Sequence, residues 1–548
     1  MDANSYSGTG IRQDDTIFQI NRRVVKSMQR NMRKVSFFLL YAVFVIWLFR
    51  FSGIDSDQAN HLLQADDILS GNFFLKDWNL TGVTFFTTDL LYFEIARLIF
   101  GVRYRAIYVA NGLKFLSIAV VAYYAVMKGC CRDWKLKKGL FFLLASIPCM
   151  SYMISSRVHA GAVCLIFIAF CIVDDILKRS DENDRKILWK YAAFITVTAL
   201  GTVGDMLVII EGTIPVLLFC LYRLLMEENF HRGVKYIKLA ASAVTGIVAG
   251  LVWDRFYFFV GGANKNSYIG NRLFTDLSGY AEKVVSFTGH ILDMCMANLS
   301  GARIADIWNL PRLANIAVII AAILFMIVSI RTVIQKEQNH TDEISLLLVI
   351  SILMSFLAFV LTEMAASRYI TLVPYAFFVL VIRNCSQIIE YCKNRKLSIL
   401  ILVITAVISF AGKIYEISSY QYPQSNIEDY RLITFLKEHD LHYGYASFWN
   451  ASKLTVLSGK EVNIRHITHS GETEDMLSLF RWFCKNEWYH ENTNFIIIDN
   501  EDGKRGEEDS FGISEKRVTS FFGVPQESYV FDKYLILVYD YNISNKLK

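Results

Sequence analysis

Gly53-Ile54-Asp55-Ser56-Asp57-Gln58-Ala59-Asn60-His61 follows directly on an apolar run that ends at Arg50-Phe51, and it continues to Gly71-Asn72 before a second apolar region begins. Two carboxylates therefore stand just past the end of that run. Its other end carries Arg22, Arg23, Lys26, Arg30, Arg33 and Lys34. If residues 35–50 cross a membrane, the basic cluster lies in the cytoplasm by the positive-inside rule, and the acids lie on the opposite side. The rest of the chain supports that reading.

The 548 residues are 54% hydrophobic and 14% aromatic, with a mean hydropathy of +0.34. A water-soluble chain of this length is less apolar. Runs of about 18 or more apolar residues read as membrane helices, because backbone polar groups in lipid must be satisfied within each span. Ten cysteines form no spacing pattern, and no Cys-x-x-Cys occurs, so a zinc site is not expected. A net charge of +5 reflects loop asymmetry and gives no reason to expect nucleic acid. The first apolar run lacks a small-residue cleavage site, so no cleaved leader is expected.

After the first span, residues 52–103 form a long outer loop. Ala59, Leu62, Ala65 and Leu69 recur at helical spacing, with Asp57, Asn60, Gln64 and Asp67 on the other face and Asp66 out of place on the apolar side. This predicts a helix lying along the membrane surface and stopping at Gly71-Asn72. A second outer helix is expected over 88–100. Further spans fall at about 104–127, 139–154, 159–177, 190–204, 207–226, 237–258, 313–331, 344–362, 368–383 and 397–411, about eleven in all. Basic residues mark alternate loops as cytoplasmic: Lys128 to Lys138, Lys178 to Lys190, Arg223 to Lys238, and Arg383 to Lys396. The turns between them are nearly free of lysine. The alternation puts the C-terminus outside. Outer loop 259–312, with Gly261-Gly262, Tyr268, Gly270, Tyr280 and Phe287, suggests an ordered lid or surface helices.

Composition changes near Gln421. Residues 423–548 hold short β-type runs, Phe495-Ile496-Ile497-Ile498 and Tyr534-Leu535-Ile536-Leu537-Val538-Tyr539, with helical patterns at 427–439 and 473–486. These predict a small extracytoplasmic α/β domain. It has no GxGxxG or P-loop, so no nucleotide is assigned. The expected organisation is a cytoplasmic segment 1–35, a membrane domain 36–412, and this outer domain 423–548, in a multi-pass plasma-membrane protein.

Ionisable residues recur at the outer ends of spans, where they are candidate functional groups. Asp55 and Asp57 follow the first span. Arg157 and His159 open another. Asp205 sits in Gly201-Thr202-Val203-Gly204-Asp205, and Glu363 and Arg368-Tyr369 flank one turn. Together they could line one outward-facing cavity, with acids and bases on different walls. Solvated acids and arginines reaching to lipid headgroups are the plain alternatives. The layout suits transfer of a sugar from a lipid phosphate: a carboxylate takes the acceptor's proton, and an arginine holds the leaving phosphate. Asp55-Ser56-Asp57 is also an Asp-x-Asp, which can hold a divalent cation through oxygen ligands.

These residues resemble the GT-C superfamily of polytopic glycosyltransferases, which includes protein O-mannosyltransferases and lipid A aminoarabinose transferases. The resemblance spans about residues 35–411. It rests on the first outer loop opening with an acid at Gly53-Ile54-Asp55-Ser56-Asp57-Gln58-Ala59, then Leu69-Ser70-Gly71-Asn72, and on Ser367-Arg368-Tyr369-Ile370 with Pro374. It implies a polyprenyl-phosphate-linked sugar donor and Asp55 as general base, with Asp57 as the alternative. It also implies lipid-phosphate binding by Arg368, Tyr369 and Glu363. The first loop lacks the mannosyltransferases' Asp-Glu pair, and Thr87-Thr88-Asp89 stands where their His-Pro-Pro would follow. Donor sugar and acceptor (glycan, lipid or protein) stay open. A transporter or flippase is the second possibility, but no internal repeat is visible and the charges avoid mid-membrane. A polysaccharide polymerase, or a non-enzymatic assembly protein, is a further one.

Overall fold

The computed structural model describes residues 35–129, 132–178, 185–227, 230–265, 279–303, 305–334, 342–390, 394–470, 476–499 and 508–547, with Gln29, Met32, Arg272 and Leu273. The basic cluster at residues 22–34 and the positions of Tyr268 and Gly270 lie outside them.

The chain begins with apolar helix α1 (Val35–Phe51). Helix α2 (Ser56–Leu69), strand β1 (Trp78–Leu80) and helix α3 (Leu90–Phe100) follow. Next come α4 (Tyr104–Met127), the pair α5 (Trp134–Ala145) and α6 (Met150–Ser155), α7 (Ala160–Leu177) and α8 (Arg185–Gly204). A π-helical turn (Val208–Thr213) leads into α9 (Ile214–Met226), then α10 (Phe230–Phe259), strand β2 (Asn264–Lys265) and α11 (Tyr280–Met294). The bundle ends with α12 (Asn309–Ile334), α13 (Glu343–Leu361), α14 (Leu372–Arg383), the short α15 (Cys385–Glu390) and α16 (Arg395–Ser418).

Each expected span coincides with one of these helices or, for 139–154, with the α5–α6 pair. Among the described residues, eight helices are long and apolar enough to cross a membrane. α1, α5 and α14 are shorter, at 17, 12 and 12 residues counted from their bounds. α14 is buried along its whole length, so neighbouring helices surround it. The chain is a multi-pass membrane protein.

After α16 come α17 (Gln424–Glu438), β3 (Tyr443–Ala446), α18 (Phe448–Leu457), β4 (Asn463–His469), β5 (Leu477–Leu479), β6 (Cys484–Lys485), β7 (Phe495–Asp499), α19 (Glu515–Phe522), β8 (Glu527–Phe531) and β9 (Tyr534–Val538). Six of the strands form a mixed sheet in the order β5-β4-β3-β7-β9-β8, with β3 parallel to both β4 and β7 and the outer pairs antiparallel. β7 and β9 are buried at every residue, which is why they read as unbroken apolar runs. Of the helix expected over 473–486, residues 473–475 lie outside the described residues, and from Met476 on β5 and β6 stand in its place. Leu477 and Leu479 pair with His469 and Ile467 of β4, and Phe483 takes a left-handed φ of 56°, which no helix accommodates.

The expected surface helix is α2, and its surroundings differ from the expectation. Both of its faces are covered. Gln58, Ala59, Asn60, His61, Leu62, Gln64 and Ala65 are buried, because α3 and α4 pack on one side and α18 on the other. Leu62, Ala65, Phe93 and Ala106 share one apolar core with Leu454, Val462 and Ile464 of the C-terminal sheet layer. The misplaced Asp66 is explained by charge: Arg97 of α3 and Lys460 reach it at 2.7 and 2.8 Å. A small second sheet adds to the attachment. β1 pairs in parallel with β2 and antiparallel with β6. In the 259–312 loop, α11 packs along α13. Its Lys283 Nζ donates to the Met364 carbonyl, and His290 Nε2 lies 2.9 Å from the Ala365 carbonyl, so α11 holds the 362–368 turn in place.

Two glycines let the 84–88 loop approach the bundle. A Cβ on Gly161 would stand 2.6 Å from the Thr88 carbonyl carbon, and one on Gly204 would stand 2.5 Å from Thr87 Oγ1. At Gly161 the obstacle is backbone and cannot swing aside. Gly161→Ala is therefore expected to destabilise the protein by about 1–3 kcal/mol. A lower midpoint in thermal unfolding of detergent-solubilised protein is the measurement.

Candidate active site

Asp55 precedes α2 with extended backbone (φ −122°, ψ 173°), and its carboxylate accepts from the Gln58 amide at 3.0 Å, as an N-cap should. Gln58 Nε2 adds a bond of 3.1 Å and Arg157 Nη1 one of 3.0 Å. Burial alone would raise its carboxyl, but Arg157 and the Gln58 donors outweigh it and hold Asp55 below the usual carboxylate range. Gln58 is itself held by Asn111 of α4 at 2.9 Å.

Asp57, one residue into α2, faces elsewhere. Its Oδ2 accepts from Arg368 Nη1 at 2.9 Å, and Asp57 lines a cavity of about 210 Å³. His61, Phe85, His159, Asp205, Arg368, Tyr369, Trp482 and Phe483 line it too. Burial and the nearby Asp55 charge push Asp57 up to about 6, against the pull of Arg368 and His159. His159 opens α7 with a left-handed φ of 68°, an uncommon geometry for a side chain of this kind. Its Nδ1 lies 2.6 Å from Asp205 Oδ2, and Asp205 Oδ1 accepts from the Leu207 amide at 3.0 Å. With Asp205 accepting the Nδ1 proton, Nε2 is left for the cavity. Tyr369 and Phe85 flank the His159 ring at 5.2 and 5.1 Å between centroids.

The structure thus divides the residues singled out from sequence. Asp57, His159, Asp205, Arg368 and Tyr369 meet around one cavity. Asp55 and Arg157 pair with each other at the start of α2 and are not among the lining residues. Asp89 is fully buried, 3.2 Å from Lys114 Nζ, which also donates to the Arg157 carbonyl. Glu363 is not among the cavity residues, and its amide bonds the Arg272 carbonyl at 3.1 Å. Acids and bases do not face each other across open space but touch: Asp55 with Arg157, and Asp57 with Arg368.

The Asp-x-Asp metal reading fits this arrangement poorly. Each carboxylate already meets a guanidinium, and among the described residues no group of three or more His, Cys, Asp or Glu gathers to hold an ion.

Sequence reasoning missed Lys114, His61, Trp482 and Phe483. Lys114 had a signal, as an ionisable residue deep within an apolar helix. His61 follows Asp57 by four residues and so shares its helix face. Trp482 and Phe483 come from the C-terminal region and had no signal.

The architecture is a bundle of membrane helices, with loop helices closing one end over a cavity and a small α/β unit after the last span. Solved structures of ArnT from Cupriavidus metallidurans, in the apo state and bound to undecaprenyl phosphate, are similar to it. Each has a TM-score of 0.53 and 9% sequence identity, over 94% of this chain and 99% of that one. No family model and no curated protein matches the chain.

Asp55→Ala removes the α2 cap and strands the Arg157 charge. It should cost about 1–3 kcal/mol, read as a lower unfolding midpoint. Asp55→Asn, which still caps, should cost less.

Proposed function

We propose that this protein is a membrane glycosyltransferase that moves a sugar from a polyprenyl-phosphate donor to an acceptor hydroxyl on a glycan, lipid or protein at the extracytoplasmic face. The observation that carries this reading is the cavity in which Asp57 and Arg368 meet, in a fold shared with ArnT, a structure of which holds undecaprenyl phosphate.

In the proposed step the acceptor oxygen attacks the anomeric carbon. A new carbon–oxygen bond forms as the bond to the phosphate oxygen breaks, and the polyprenyl phosphate departs with the electron pair. The acceptor proton passes to Asp57. Asp57 is preferred to Asp55 as the base because it lines the cavity and its carboxyl is raised towards neutrality, where a base takes up a proton most effectively. Arg368 stabilises the departing phosphate as its charge grows. Tyr369, stacked near the Arg368 guanidinium at 5.6 Å, and the His159–Asp205 pair complete the wall. Asp55 and Arg157 act through position, as do Asp89 and Lys114. Glu363 acts through the turn that carries Arg368. The charge alternation of the loops supports an outside location for this end of the bundle and for the C-terminal region, and a cytoplasmic N-terminus.

Asp57→Asn should lower transfer by about 10²–10⁴-fold while undecaprenyl-phosphate binding persists. Arg368→Ala should weaken that binding. A fully active Asp57→Asn variant would overturn the assignment of the base. The pH profile gives a second check. The base works deprotonated, so kcat/KM should rise with pH through about 6 and fall away below it. Asp55→Asn removes the charge that helps raise Asp57, so this acid limb should move to lower pH.

A further inference from the structure

His61 is fully buried, it belongs to the wall of the cavity, and neither of its ring nitrogens has a hydrogen-bond partner among the described residues. Burying a polar group without a partner costs free energy that folding does not recover. The surroundings add to the cost. Phe85, Phe93 and Phe483 pack around the imidazole at centroid distances of 4.8, 5.3 and 5.1 Å. A phenylalanine would suit that box better. An unpaired imidazole held there is what a site looks like when its partner comes from a ligand.

Position says which part of the ligand. His61 lies four residues after Asp57 on α2, so the two side chains stand on one face, a little over one turn or about 6 Å apart along the axis. A group reacting at Asp57 extends naturally along α2 to His61. The neighbouring walls are aromatic: Phe85 from the first loop, and Trp482 and Phe483 from the C-terminal region. Aromatic faces and one donor–acceptor side chain suit a sugar ring, which offers C–H faces and hydroxyls. They do not suit a phosphate, which has Arg368 nearby. Burial, Lys114 and His159 also hold the imidazole far below its ordinary range, so it stays neutral, with one nitrogen donating and the other accepting.

We propose that His61, Phe85 and Phe483 form the subsite for the ring of the transferred sugar, with the His61 imidazole hydrogen-bonded to its hydroxyls. The proposal rests on the glycosyltransferase reading above. It also gives the C-terminal region a part in sugar recognition, through Phe483.

The test uses the full chain in nanodiscs, with undecaprenyl phosphate and a panel of its hexose and pentose esters as probes. Wild type should bind at least one sugar ester more tightly than undecaprenyl phosphate, and His61→Phe should remove about tenfold of that gain, the worth of a hydrogen bond. Affinity for undecaprenyl phosphate itself should stay within about twofold, well under the tenfold that one hydrogen bond is worth. The unfolding midpoint should hold or rise, since an unpaired polar group is lost. His61→Gln should keep part of the gain, and Phe483→Ala should reduce it. A retained gain in His61→Phe, an equal loss for undecaprenyl phosphate, or a clearly lower unfolding midpoint overturns the subsite. Wild type that binds undecaprenyl phosphate but gains nothing from any sugar also overturns it. Wild type that binds none of these lipids overturns the glycosyltransferase reading itself.

Discussion

A polar helix buried on every side can exist only if other elements bring partners to it, and α2 imposes that constraint on the rest of the molecule. Asn111 of α4 reaches Gln58, Ser452 of α18 reaches Asn60 at 2.7 Å, and Ser56 donates to the Phe448 carbonyl. Arg97 and Lys460 share Asp66, while Trp78 Nε1 and Lys485 meet Asp67 at 2.8 and 3.3 Å. Two arginines from separate turns hold Asp55 and Asp57. The bundle, the loops and the C-terminal sheet are thereby fixed to one another through a single helix of 14 residues.

The same helix explains why two acids so close in sequence differ in role. Residues two apart on a helix are turned about 200° from one another. Asp55, at the cap, turns back to Arg157 and the helix amides. Asp57 turns into the cavity, towards Arg368. Their mutual repulsion then acts across the start of the helix: one carboxyl is held down by its partners while the other is held up by burial and by its neighbour. This separation is the arrangement that acid–base chemistry uses when one carboxylate must stay charged and another must exchange a proton.

The membrane architecture was legible because it depends on long apolar runs, which no soluble alternative explains. The C-terminal α/β character was legible for a similar reason: β7 and β9 are apolar at nearly every position. The site was legible in part. Asp57, His159, Asp205, Arg368 and Tyr369 stand where spans end, and ionisable residues at such places are few. What periodicity could not reveal was cover. The polar face of α2 reads as solvent-facing, and only the arrival of α18 makes it interior. Asp66 looked like an error in the pattern until Arg97 and Lys460 were placed beside it. The 473–486 stretch has helical spacing by accident of Met476, Phe480 and Phe483, while Leu477 and Leu479, two apart, carry strand spacing, and pairing with β4 decides for the strand. Phe483 enters the cavity through tertiary folding alone, so nothing local in its sequence marks it.

The pairing of α2 with the C-terminal region also sets an order in time. Lys460 lies 394 residues after Asp66, and Asn486 lies 407 after Asn79, its partner at 2.7 Å. At the usual synthesis rate of about 5–20 residues per second, roughly 20–80 s pass between making Asp66 and making Lys460. Throughout that interval the first loop has its polar groups and no C-terminal partners for them. The cavity wall that includes Trp482 and Phe483 is therefore among the last parts of the molecule to form, and a chain that stops short of them has its acids in place but no finished chamber around them.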